Sequence, residues 1–70
     1  MHVSVNGEMV PVDPPQTVLQ LLDTLGFSGK PVAVEVNLQI VPFDRHSEYE
    51  LSDGDELEVV TLVGLSLIHI

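Results

Sequence analysis

Three histidines, eleven carboxylates and no cysteine carry most of the reactive chemistry in this sequence. His2, His46 and His69 are scattered. No two are four apart, so no helix face can offer a histidine pair to a metal ion. They read as ordinary surface or strand residues. Glu48, Glu50, Asp53, Asp55, Glu56 and Glu58 crowd one stretch. Paired carboxylates do acid–base work only where a pocket drives their pKa values apart, and a solvated, charged turn is the simpler reading. A calcium loop needs evenly spaced ligands, a glycine at position six and a glutamate at twelve. The run from Asp44 lacks that pattern. Ser4, Ser28, Ser47, Ser52 and Ser66 have no nucleophile context. The residues therefore support no intrinsic active site and no metal site, and the chain is not expected to be an enzyme.

Composition narrows the remaining classes. Seventy residues allow one domain. A domain this short buries only about 60% of its unfolded surface, too little to enclose much of a pocket. Hydrophobic content is 44% with mean hydropathy +0.31, which is too apolar for disorder. The absence of cysteine removes disulfides, thiolate ligands and thiol nucleophiles, and fits a cytoplasmic setting. No basic-then-apolar leader is visible, and no apolar run nears the roughly 20 residues of a membrane span. The net charge of −9 comes from eleven acids against Lys30 and Arg45. Nucleic acid and anionic membrane surfaces call for the opposite sign. A basic protein partner suits it, and so does plain solubility.

The elements that would position a site follow from local pattern. Val3 and Val5 alternate on a first strand. Asn6-Gly7 then gives a hairpin, since both central residues of a type I′ turn need positive φ. Val10 and Val12 continue on a second strand, which Pro11 places at an edge. Thr17 with Gln20 forms a capping box. Val18, Leu21, Leu22 and Leu25 make one apolar stripe, and Gly26 stops the helix, giving a helix from Thr17 to Leu25. Phe27 to Pro31 is a loop. Val32, Val34 and Val36 line a third strand, Asn37 turns the chain, and Leu38 to Val41 form a short strand ended by Pro42. Phe43 to Glu50 is irregular. After the Asp53-Gly54-Asp55 turn, Leu57, Val59, Thr61 and Val63 alternate with Glu58, Val60 and Leu62. Both faces turn apolar, so this strand is expected at the centre of the sheet. One amphipathic helix against a mixed sheet is an α+β arrangement, and a ubiquitin-like β-grasp is its natural form.

Taken in order, Val5-Asn6-Gly7-Glu8, Thr17-Val18, Leu21-Leu22, Leu25-Gly26, Val32-Ala33-Val34-Glu35, Asn37, Ile40-Val41-Pro42, Asp53-Gly54-Asp55, Glu58-Val59-Val60 and Val63-Gly64 resemble the ThiS family of sulfur carriers. The resemblance runs through residues 1–64. It implies a protein that acts through its C-terminus, as a substrate and not a catalyst. Family members end in Gly-Gly. An E1-like enzyme supplies ATP and Mg²⁺ and adenylates the terminal carboxylate. Persulfide sulfur displaces AMP to leave a thiocarboxylate, and thiazole synthase takes that sulfur into the thiazole ring of thiamine. Glycine suits this role because a bare backbone can thread a narrow channel. By this resemblance Gly64 belongs to the reactive tail, and Phe43, Leu62 and Val63 are the expected partner-binding residues. No bound cofactor is implied.

Two positions depart from the family pattern. Phe43 stands after Val41-Pro42, where the family usually carries a basic residue. The second terminal glycine is absent, and Leu65-Ser66-Leu67-Ile68-His69-Ile70 follows Gly64 instead. Those six residues are what a transposon mosaic-end sequencing adapter encodes in frame (CTG TCT CTT ATA CAC ATC). The expected organisation is therefore a domain over 1–64 and a foreign tail over 65–70, with the carrier inactive as written. A genuine tail that lengthens the last strand is the competing reading. Two other functions stay open: a MoaD-like small subunit of molybdopterin synthase, and a β-grasp binding module that carries no sulfur.

Overall fold

The computed structural model describes residues 1–63 and 66–69, with side chains through Leu62. Strand β1 (His2–Val5) turns at Asn6 and Gly7 into β2 (Glu8–Pro11). Their φ values of 51° and 86° are the positive pair expected of Asn-Gly. Helix α1 (Val18–Thr24) follows, then β3 (Val32–Val36), β4 (Gln39–Val41), a 3₁₀ turn at Phe43–Arg45, β5 (Glu56–Val63) and β6 (Ser66–His69). The sheet order is β2-β1-β5-β3-β4, with β6 paired to β5 off that path. β1 and β5 run parallel, and the other pairs are antiparallel. The sheet is thus mixed, β5 lies at its centre, and Pro11 lies on the edge strand β2.

Local chemistry sets the helix ends. Gln20 N–H donates to Thr17 Oγ1 (3.2 Å), and Thr17 N–H donates back to Gln20 Oε1 (3.0 Å). The capping box leaves Thr17 as N-cap and Leu25 as C-cap. Gly26 takes the left-handed φ of 89° that ends the helix. Val18, Leu21 and Leu22 are buried against Val3, Val32, Val34, Val36, Val41, Leu51, Leu57 and Val59. Apart from Leu51, which precedes β5, these alternate strand residues make up the covered face of the sheet.

Among the described residues, the other face has no second layer. Residues directly opposite across a ladder share a face. Ser4 pairs with Met9 and with Glu56, Glu35 with Ile40 and with Glu58, and Ala33 with Val60. The central position of β5 agrees with its pattern, but its second face is not covered: Leu62 remains 38% exposed. The apolar residues there mark an open surface, not a second core.

Two sequence expectations change. His46 is buried, not a surface or strand residue. Its Nε2 lies 3.1 Å from the Val41 carbonyl, and its own carbonyl accepts from Leu19 N–H (2.9 Å). The imidazole thus ties the irregular segment to β4, and the His46 backbone carbonyl ties it to the first turn of the helix. Asp55 is also buried, not part of a solvated turn. Its carboxylate accepts from Asn37 Nδ2 (3.0 Å) and Ser52 N–H (2.7 Å). Asn37 completes the clamp by accepting from Glu56 N–H (3.0 Å). Burial of a carboxylate is tolerable only with such donors. The tail also differs from the competing reading: β5 ends at Val63, and Ser66–His69 pairs antiparallel with it as a separate strand.

Candidate docking face and carrier tail

Asn6 explains how β5 is freed to run past its neighbour. β1 pairs with β5 at Ser4–Glu56 and Val5–Leu57. The chain then turns away, and the Asn6 side chain takes over the ladder. Its Nδ2 donates to the Val59 carbonyl (3.1 Å), and its Oδ1 accepts from Val59 N–H (2.8 Å). Beyond Val59, β1 contributes no further register to β5. On the opposite side β3 stays paired to Thr61, and Leu62 N–H donates to the Pro31 carbonyl (2.9 Å). The central strand thus leads straight to Gly64, which lies outside the described residues.

The expected partner-binding residues fall at that end of the sheet. Phe43 lies in the 3₁₀ turn, 75% exposed, with its ring centroid 5.5 Å from that of His46. It borders a shallow groove of about 290 Å³ with Leu22, Phe27, Lys30, Pro31 and His46. Pro31 joins this groove to Leu62 through the hydrogen bond above. That bond is made by the backbone; the Leu62 side chain alternates onto the open face with Glu58 and Val60, whereas Phe43 borders the helix side of the sheet. Val63 is the last residue of β5, and its side chain lies outside the described set.

The open face gathers acids that the sequence pattern leaves in a solvated turn or in separate motifs. Glu35 and Glu58 stand directly opposite each other, and Glu56 lies two positions along β5. Ile40 and Met9, each 74% exposed, flank them on β4 and β2. Like charges directly across a ladder destabilise it. The alternation of the last strand puts Glu58 opposite the Leu57–Val59 face, but that it meets Glu35 required the register. Of the two cations outside the N-terminus, Arg45 bonds Glu48 (3.2 Å) in an exposed pair, which holds the chain together little. Lys30 borders the groove.

Among the described residues, no three histidine or acidic side chains cluster as metal ligands, and no helix is long and apolar enough to cross a membrane. The histidines lie apart, and the acids face solvent or close turns. What the arrangement offers is surface: an acidic face with apolar flanks, a groove, and a central strand that runs to Val63.

One helix across a mixed sheet of this order defines a ubiquitin-like β-grasp protein. The chain belongs to the ThiS family, whose model matches residues 3–64. It is similar to the thiamine biosynthesis protein ThiS of Geobacter metallireducens, with a TM-score of 0.78 and 28% identity over 94% of this chain and 100% of that one. It is 41% identical over 64 residues to a thiazole synthase of Paramagnetospirillum magneticum, covering 91% of this chain but 20% of that protein. The chain therefore spans about a fifth of the length of that relative. A protein designated ycf40 from Pyropia yezoensis is 41% identical over 65 residues, covering 91% of this chain and 90% of that one.

Proposed function

We propose that this chain is built as a sulfur carrier for the thiazole of thiamine. The observation that carries the reading is the family match over residues 3–64 on a β-grasp whose central strand ends at Val63, the residue before Gly64 in the sequence. Similarity to a ThiS protein and to part of a thiazole synthase favours the thiamine branch over a pterin branch. The carrier is a substrate. In the reactive form a C-terminal glycine carboxylate attacks the α-phosphorus of ATP on an E1-like enzyme, which holds the Mg²⁺, and pyrophosphate leaves. A persulfide sulfur then adds to the acyl carbon and AMP leaves. A second thiol cleaves the S–S bond, and the thiocarboxylate remains for thiazole synthase.

This chain's own residues supply docking and delivery. Glu35, Glu56 and Glu58 on the open face suit a basic enzyme surface, and Ile40, Met9 and Leu62 give apolar contact beside them. Phe43 and the groove at Pro31 flank the exit of β5. An exposed aromatic in that place substitutes apolar contact for charge at the enzyme surface.

The tail separates fold from activity. In a polypeptide that stops at Ile70, the terminal carboxylate stands six residues past Gly64. Ile70 is β-branched and stiff where the channel admits backbone, and adenylation needs near-attack placement of the carboxylate. Replacing residues 65–70 with one glycine restores Val63-Gly64-Gly. The test is ATP–pyrophosphate exchange with a thiamine-type E1-like enzyme, followed by the intact mass of the thiocarboxylate. The Gly-Gly form should react and the 70-residue chain should not. Equal reaction of both removes the tail's effect. Reaction of the Gly-Gly form with a molybdopterin-type enzyme alone moves the assignment to the MoaD-like branch. Reaction with neither overturns the carrier reading in favour of a binding module.

A further inference from the structure

The edge of β5 beyond Asn6 has its own geometry. Even-numbered residues bond toward β3, as Leu62 N–H does to the Pro31 carbonyl. Odd-numbered residues bond the other way: Asn6 N–H donates to the Leu57 carbonyl, and Val59 N–H to Asn6 Oδ1. By that alternation Thr61 and Val63 aim their backbone groups at the edge that β1 has left. An edge with aligned N–H and C=O groups is a template for another strand. Here the template is filled from within the chain, with Val60 opposite His69, Thr61 opposite Ile68, Leu62 opposite Leu67 and Val63 opposite Ser66.

We propose that the Val60–Val63 edge is a strand-acceptor site whose occupant in trans is the Ser66–His69 strand of a second copy of this chain. The pairing is self-complementary, because each copy carries one acceptor and one donor strand. Exchange therefore conserves the whole β5–β6 ladder and closes with two-fold symmetry. Only residues 64 and 65 lie between Val63 and Ser66, and short connections invite exchange. Effective concentration works against it. A short tether presents its strand to its own acceptor at a concentration on the order of millimolar. The chain is then monomeric when dilute, and exchange grows as protein concentration approaches that value. The inference is independent of the sulfur-carrier reading, since it concerns backbone pairing alone.

Sedimentation equilibrium of the 70-residue chain across a concentration series, joined to amide hydrogen exchange, tests this. A dimer fraction that rises from near zero to about half as concentration approaches the order of 1 mM supports exchange. The Thr61 and Val63 amides should be protected at both ends of the series. Ile68→Pro removes a backbone donor from β6 and leaves every residue of β3 and α1 in place. That variant should stay monomeric and lose protection at Thr61 and Val63, while the core amides of β3 and α1 stay slow. Ile40→Lys, on the open face, should dimerise like the parent chain. A chain that is monomeric throughout, a dimer that persists in I68P, or one abolished by I40K would each overturn the proposal.

Discussion

Asp55 shows what a single side chain contributes here. It joins the turn after β3 to the start of β5 by accepting from Asn37 Nδ2 and Ser52 N–H, while its own backbone carbonyl accepts from Ser4 N–H (2.8 Å). Three segments meet at one residue. Asp55→Ala leaves two donors without their acceptor, and each such group costs about 1–3 kcal/mol when water cannot reach it. Part of this site is wet, so the expected loss is about 2–3 kcal/mol by denaturant titration. Asp55→Asn keeps one acceptor and should lose less. Equal stability of D55A and the parent chain would show that the clamp is ornamental. Asn6 acts in the same manner on β5, replacing a stretch of strand by one amide.

At the scale of elements, the helix is held by its stripe and the β3–β4 connection by its turn. Leu21 and Leu22 are 1% and 3% exposed. Leu21→Ala should cost about 2–5 kcal/mol, since the closely packed sheet below cannot fully collapse onto the space. An unfolding midpoint unmoved by that change means the stripe does not face a core. The turn gives the opposite sign. Asn37 and Leu38 have φ of 51° and 69° between the paired residues Val36 and Gln39. Leucine in that region costs roughly 1–2 kcal/mol, and Leu38 recovers little by burial at 89% exposure. Glycine removes the strain but loses about 0.5–1 kcal/mol to its freedom in the unfolded chain. The strain outweighs that loss, so Leu38→Gly should stabilise the protein by up to about 1 kcal/mol. A lower thermal midpoint for L38G would mean the turn is not strained.

For the whole molecule the dominant quantity is the −9 charge, gathered in part on the uncovered side of the sheet. Opposite potentials raise association rates, and salt shortens their reach to about 8 Å at physiological strength. On the proposed carrier reading, stopped-flow association of the Gly-Gly form with a thiamine-type E1-like enzyme should slow steeply from low to high salt, with dissociation changing less. Glu58→Gln should flatten that dependence. A rate constant independent of salt would leave the charge as a solubility device.

The sequence by itself determined the local pieces. The Asn6-Gly7 turn, the Thr17–Gln20 cap, the 3.6-residue stripe and the two-residue alternations depend on neighbours a few positions away, so they can be read without the fold. Their order also carried the β-grasp fold, because a hairpin, one capped helix and three further strands fit a chain of this length that way, while the family came from the resemblance of the ordered motifs from Val5-Asn6-Gly7-Glu8 to Val63-Gly64. The tertiary structure decided what depends on distant partners. His46 is inside because Leu19 and Val41 offer it bonds, and Asp55 because Asn37, 18 residues away, does. Glu35 faces Glu58 only because strand register puts them there. The tail was legible as foreign to the family pattern, but its return onto β5 was not. Pairing along a strand edge is set by backbone groups that every residue possesses, so only the open edge beside Asn6 determined where Ser66–His69 would go.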